Sequence, residues 1–284
     1  MNSHFHIGSC AWTFEDWRGV FYPEDLPTNR WLGWYGKVFN AVEIDSTFHA
    51  TPAAQTVGRW LTEAPAHFRF TCKAPKRITH ELRLRECEGE LETFLEGMRP
   101  LHGRLGAILF QMPPSFSPEQ DGTALREFVL GLPHGWRYAI EFRDAEWHQP
   151  RFVKLLEDHG VCWAWNDVTS VAAQDEAPFG ILPETADFLY VRLMGDLRTK
   201  YGADGRHLHR YKEVMWSRAV ALESWAVRLQ KQAEEGKAIY VMCSNHYEGY
   251  APETCRRLGE RLGMEMRLPV VEEEGKGAGQ MRLL

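Results

Sequence analysis

Short runs of apolar, β-branched and aromatic residues recur along the chain, separated by amphipathic stretches of helical length. The runs span approximately Phe5 to Cys10, Ala41 to Asp45, Phe68 to Ala74, Gly106 to Gln111, Tyr138 to Arg143, Val161 to Asp167, Phe188 to Met194 and Ala238 to Asn245. Such alternation predicts βα units around a parallel sheet. Eight units in 284 residues match the arithmetic of a TIM-barrel-like (β/α)8 fold, which takes about 250 residues, with a doubly wound open sheet as the rival. Thr51-Pro52 reads as an N-cap followed by proline at the first helical position, and Gly160, Gly236 and Gly263 stand where helices should close. The longest helical stretch, about Lys212 to Glu235, carries Val214, Ala221, Leu222, Trp225 and Leu229 at helical spacing, a packing face. Between Asp167 and Phe188 the Gly, Pro, Ser and acidic residues predict a loop. The expected organisation is one domain over residues 1–269 and a charged, glycine-bearing, mobile tail over 270–284.

Within each predicted strand the side chains alternate between two faces. In Ala41 to Asp45, Val42 and Ile44 take the helix-facing side, so Glu43 and Asp45 share the interior. The same parity places Thr71 and Lys73, Gln111, Glu141 and Arg143, Asn166, Arg192 and Asn245 inside, at the strand ends where active sites of this fold class are built. That set contains Glu43, Asp45 and Glu141 against Lys73, Arg143 and Arg192, a formally balanced cluster. It reads either as an ion-pair lattice plugging the interior or as a site. Burying several charges costs more than apolar filling would, which favours a site. In that reading Lys73 near Glu43 or Glu141 is a tuned acid or base, Arg143 and Arg192 clamp an anion, and Gln111, Asn166 and Asn245 orient polar groups. Trp12, Trp17, Phe21, Tyr22, Trp147, Tyr247 and Tyr250 follow strand ends and either frame the site or pack its loops.

Composition narrows the function classes. Hydrophobic residues make up 44% and charged residues 25%, a globular balance. The net charge of −6 argues against non-specific nucleic-acid binding. No apolar run is long enough to cross a bilayer, and residues 1–6 lack the plan of a signal peptide, so no membrane partner is expected. The 6 cysteines are scattered without a Cys-x-x-Cys pair, which fits a reducing, cytoplasmic compartment. Glu43, Asp45, Glu141, His49, His80 and His246 offer metal donors near strand ends, but no compact ligand motif is written. No cofactor is assigned, and a divalent metal stays a minor alternative. Phosphate-loop, dinucleotide-binding and nucleophile-elbow motifs are absent from the sequence.

One set of motifs goes further. Gly8-Ser9-Cys10-Ala11-Trp12, Trp17-Arg18-Gly19-Val20-Phe21-Tyr22-Pro23, Val42-Glu43-Ile44-Asp45-Ser46-Thr47-Phe48 and Lys73-Ala74-Pro75-Lys76-Arg77-Ile78-Thr79-His80 occur in order. Phe110-Gln111-Met112-Pro113-Pro114, Ile140-Glu141-Phe142-Arg143, Tyr190-Val191-Arg192-Leu193 and Gly249-Tyr250-Ala251-Pro252 follow. From about Ile7 to Leu262 the chain resembles the YecE-like family, domain of unknown function seventy-two. The resemblance implies a TIM-barrel-like fold and leaves the reaction unassigned. It carries over Glu43, Lys73, Glu141 and Arg192, whereas Met194 stands where the family has His, His246 where it has Asp, and Cys10-Ala11 where it has Ser-Gly.

The expected function is acid/base catalysis on a small polar substrate, anionic or sugar-like, with Glu43, Lys73 and Glu141 as catalytic residues. Trp12, Asp45, His49, Gln111, Arg143, Asn166, Arg192 and Asn245 are the expected substrate-binding residues. The alternatives are a nucleic-acid or nucleotide phosphodiester enzyme and a non-catalytic ligand-binding barrel. The oligomeric state is left open.

Overall fold

A computed structural model of the protein describes residues 4–168, 182–195 and 210–269. The loop expected between Asp167 and Phe188 falls largely on 169–181, and the expected tail on 270–284, both outside the described residues.

The apolar runs form strands β1 (Phe5–Ser9), β2 (Ala41–Ile44), β3 (Arg69–Lys73), β4 (Leu105–Gln111), β5 (Tyr138–Glu141), β6 (Cys162–Trp163), β7 (Trp165–Asn166), β8 (Phe188–Leu193) and β9 (Ala238–Cys243). The helices are α1 (Trp31–Tyr35), α2 (Ala54–Glu63), α3 (Glu88–Met98), α4 (Pro118–Leu130), α5 (Pro150–Asp158), α6 (Ala219–Glu234), α7 (Asn245–Glu248) and α8 (Ala251–Arg261). All strand pairs are parallel, in a four-stranded sheet β1-β9-β8-β7 and a five-stranded sheet β2-β3-β4-β5-β6. Among the described residues the backbone joins the sheets at two places. A parallel bridge pairs Cys10 with Glu43, and only Ala164, whose N–H donates to the Ile140 carbonyl at 2.9 Å, separates β6 from β7. The sixth expected strand is therefore two short ones, because the chain changes pairing partner from β5 to β8 within it.

Alternation decides the packing. Outward residues such as Val42, Cys72, Phe110, Ile140, Val191 and Val241 join the helix stripes in one large apolar core. Inward residues Ala41, Ala107, Leu109, Ala139, Tyr190, Tyr240 and Met242 form a second, smaller cluster. Small residues there make room for large ones: a Cβ on Gly106 would come within 2.2 Å of the Tyr240 ring. The helix ends expected at Gly160, Gly236 and Gly263 are present, with φ of 62°, 84° and 72° just past α5, α6 and α8.

Two helix starts differ from expectation. α2 opens at Ala54, beyond Thr51-Pro52. α6 opens at Ala219 rather than near Lys212, because Met215 and Arg218 give their N–H groups to the Glu248 carbonyl and carboxylate, at 2.8 and 2.7 Å. The stripe Leu222, Trp225 and Leu229 is buried as expected. Among the described residues no helix is long and apolar enough to cross a membrane.

Candidate functional site

Side chains from both sheets meet at the C-terminal ends of the strands, in two tiers. The inner tier is a closed lattice. Arg192 donates from Nη2 to Glu43 Oε1 at 2.8 Å and from Nη1 to Glu141 Oε2 at 2.7 Å, and Arg143 Nε donates to Glu141 Oε1. The Tyr190 hydroxyl donates to Glu43 Oε2 at 2.7 Å and lies 2.8 Å from Thr71 Oγ1. Glu43 and Glu141 are fully buried, and both oxygens of each are occupied. Burial pushes the Glu141 carboxyl up, but Arg143 and Arg192 outweigh it and hold it below the usual carboxylate range. Strand register sets this tier, since Gln111 is level with Glu141 and Asn166 with Arg192.

The outer tier holds Asp45, Lys73, His80 and Arg143, of which Lys73 and Arg143 are buried. Lys73 ends β3 with Nζ 3.5 Å from Asp45 Oδ1 and 3.8 Å above the Phe48 ring centroid. Burial lowers the Lys73 amine from its ordinary value; Arg192 adds to this, and Asp45, Glu43 and Glu141 oppose it. The turn Asp45–Phe48 is pinned beneath it by Thr47, whose Oγ1 lies 2.7 Å from the carbonyls of both Ile44 and Lys73. The terminal nitrogens of Arg143 make no hydrogen bond among the described residues, so part of its guanidinium stays available. His80 is half-buried beside them, its Nδ1 2.9 Å from Thr79 Oγ1 and its ring edge-on to Phe48 at 5.1 Å.

The remaining expected residues divide. Trp12 is buried edge-on to Trp60 at 5.9 Å and, with Asp45 and Arg59, lines a cleft of about 580 Å³. Ala11 beside it has φ 79° and gives its N–H to the Glu43 carbonyl at 3.0 Å, the left-handed geometry that glycine adopts freely. Gln111 donates its amide to the Met112 carbonyl, and Asn166 Oδ1 accepts from the Val168 N–H at 3.0 Å. His49 is exposed. Asn245 lies beyond the end of β9 at the start of α7, where strand parity no longer assigns a face, and its Oδ1 accepts from Trp17 Nε1 at 3.3 Å and the Ala251 N–H at 2.9 Å. For most of the loop aromatics the packing reading holds. Trp17, Phe21, Tyr22, Trp147 and Tyr247 are fully or almost fully buried in the outer core and pack the loops.

Sequence reasoning passed over Tyr190, which shares the parity of Arg192 two residues on, and Asp167. Burial pushes the Asp167 carboxyl up, and it accepts the N–H groups of Met194 at 2.6 Å and Gly195 at 3.1 Å. Position 194 thus serves through its backbone, which methionine provides as well as histidine. Among the described residues no group of three or more His, Cys, Asp or Glu side chains is placed to hold a metal ion.

The chain matches the family described as protein of unknown function DUF72 over residues 6–277. UPF0759 protein YunF of Bacillus subtilis is 26% identical over 281 residues, covering 92% of this chain and 95% of YunF. UPF0759 protein YecE of Escherichia coli K12 is 35% identical over 155 residues, 54% of this chain and 52% of YecE. The crystal structure of a DUF72 family protein from Thermotoga maritima MSB8 superposes with a TM-score of 0.71 at 26% identity, over 91% of this chain and 99% of that one. One from Enterococcus faecalis V583 gives 0.70 at 21% identity, over 93% and 98%. The motif order, the parallel α/β fold and these matches agree: the chain belongs to the DUF72 family of uncharacterised proteins.

Proposed function

We propose that the two sheets close into one (β/α)8 barrel and that the chain is an enzyme using acid/base chemistry on a small anionic substrate at the strand ends. The Cys10–Glu43 bridge and Arg192, which reaches from β8 to Glu43 and Glu141 of the other sheet, support the closure. The observation that carries the function is Lys73: an amine lowered by burial, 3.5 Å from Asp45 Oδ1, at strand ends where both buried glutamates are fully engaged and the terminal nitrogens of Arg143 make no hydrogen bond among the described residues. Arg192 has both terminal nitrogens committed to carboxylates, so it anchors the lattice instead of clamping a ligand. Lys73 and Arg143 hold the anionic group, and Lys73 transfers the proton. Glu43 and Glu141 fix the two arginines.

The test is ligand-dependent thermal stabilisation with small carboxylates, small phosphates and neutral sugars. A ligand at a hundredfold its Kd stabilises by about 2.7 kcal/mol. Anions should raise the Tm of the natural chain and leave Lys73→Met unmoved. Stabilisation by neutral sugars alone, or an anion effect that survives Lys73→Met, would contradict the reading.

A further inference from the structure

The segment that follows Lys73 is unusual in its backbone. It makes a π-helical turn at Arg77–Glu81, a form met mostly at functional sites. Three non-glycine residues beyond it, Arg83, Leu84 and Glu86, have φ of 52°, 64° and 44°. Such conformations persist only where the surroundings enforce them. Here the enforcing group is the fully buried Asp121 of α4, which accepts from Arg83 Nε at 3.1 Å and Arg85 Nη1 at 2.9 Å.

What this held segment delivers to the strand ends is His80. Its ring shares the Phe48 platform with the Lys73 amine, Thr79 occupies its Nδ1, and Nε2 has no partner among the described residues. The groups facing it are cationic from three directions: Lys73 on β3, Arg143 after β5 and Lys76 on its own turn, opposed by Glu81. The turn carrying Phe48 adds Asp45, already paired with Lys73, and exposed His49. Burial first, and then those cations, lower the His80 imidazole to about 4, so it is neutral near pH 7.

We propose that His80 completes an anion subsite with Lys73 and Arg143 and takes up one proton from solvent when the anion binds; this rests on the function proposed above. Negative charge placed between Lys73 and Arg143 reverses the field at Nε2. The imidazolium then donates to the anion, a charge-assisted bond, and the substrate lies against a loaded acid.

Sulfate is the probe, because it stays a dianion across the working range. Calorimetric titration of the full chain in buffers of different ionisation heat counts the protons bound. At about pH 5, sulfate binding should take up roughly half a proton or more, falling to near zero at about pH 8. His80→Asn should lose the proton uptake at about pH 5. Uptake that persists in His80→Asn, or no uptake in the natural chain, overturns the role of His80 while leaving the Lys73–Arg143 site standing. Failure of the natural chain to bind sulfate at either pH overturns both.

Discussion

Two fully buried carboxylates in this protein are each gripped by two arginines, and their surroundings differ. Asp121 takes Arg83 and Arg85 where α4 meets the strained segment, and its arginines are 24% and 46% exposed. Glu141 takes Arg143 and Arg192 at the strand ends, and its arginines are 8% and 3% exposed. Around Asp121 the Ser117 N–H joins the arginines and Arg83 continues to Ser115. Around Glu141 the lattice leaves Arg192 Nε unpaired among the described residues, and the terminal nitrogens of Arg143 and His80 Nε2 make no hydrogen bond among them. A buried ion pair alone therefore marks neither a site nor a scaffold. The open groups resting on it make the distinction.

The largest expected effect breaks that contrast directly. Arg192→Met removes the guanidinium shared by two buried carboxylates and should lower stability by about 3 to 5 kcal/mol in denaturant unfolding. Asp121→Asn should lower it less, roughly 1 to 3 kcal/mol, because Arg83 and Arg85 can turn toward water. Equal losses would mean that the two lattices are energetically alike.

A smaller effect is expected in the pH dependence of stability. His80 is lowered in the folded chain, so the stability tied to its neutral form is complete above the unfolded value of about 6.5 and is lost as pH falls toward about 4. His6, at the opposite end of the strands and lowered mainly by burial, loses stability over the same window. Asp121 and Glu141 are lowered carboxylates, so their contribution is present above the unfolded carboxylate values near about 4 and disappears as pH falls through their folded values. His80→Asn should flatten the stability profile between about pH 6.5 and 4 and leave the steeper acid limb below it unchanged. An unchanged upper window would place His80 in ordinary solvent.

The smallest effect sharpens the comparison of backbone. Ala11 at φ 79° lies at the strand ends, whereas Arg83, Leu84 and Glu86 lie in the Asp121 region. Ala11→Gly should raise stability by about 1 kcal/mol, since glycine takes this conformation without the Cβ penalty. A loss of stability would show that the Cβ packs usefully in the cleft.

Much of this was legible in the chain. Ala41, Glu43, Glu141 and Arg192 follow a period of two, and that period assigns faces without any knowledge of partners. Pairing was not legible. Arg192 and Glu43 are 149 residues apart, so nothing local indicates that both terminal nitrogens of Arg192 are taken by carboxylates instead of waiting for a ligand. Asn245 was beyond the reach of parity, because β9 ends at Cys243 and Asn245 opens α7. The aromatics after strand ends suited either a binding wall or loop packing, and Trp17, Phe21, Tyr22 and Trp147 form a core for the loops. His80 was visible only as a donor type, since a π-helical turn leaves no pattern in hydrophobicity.

The central claim is that Lys73 is kept for chemistry above a lattice kept for structure. Burial lowers the amine in the folded chain, so its charge at neutral pH costs stability, and replacing it should relieve that cost. The direct measurement is the thermal unfolding of Lys73→Met against the natural chain near pH 7, with and without sulfate. The account predicts an equal or higher Tm without sulfate and no stabilisation by sulfate. A variant that loses several kcal/mol while still gaining from sulfate would make Lys73 part of the lattice and contradict it.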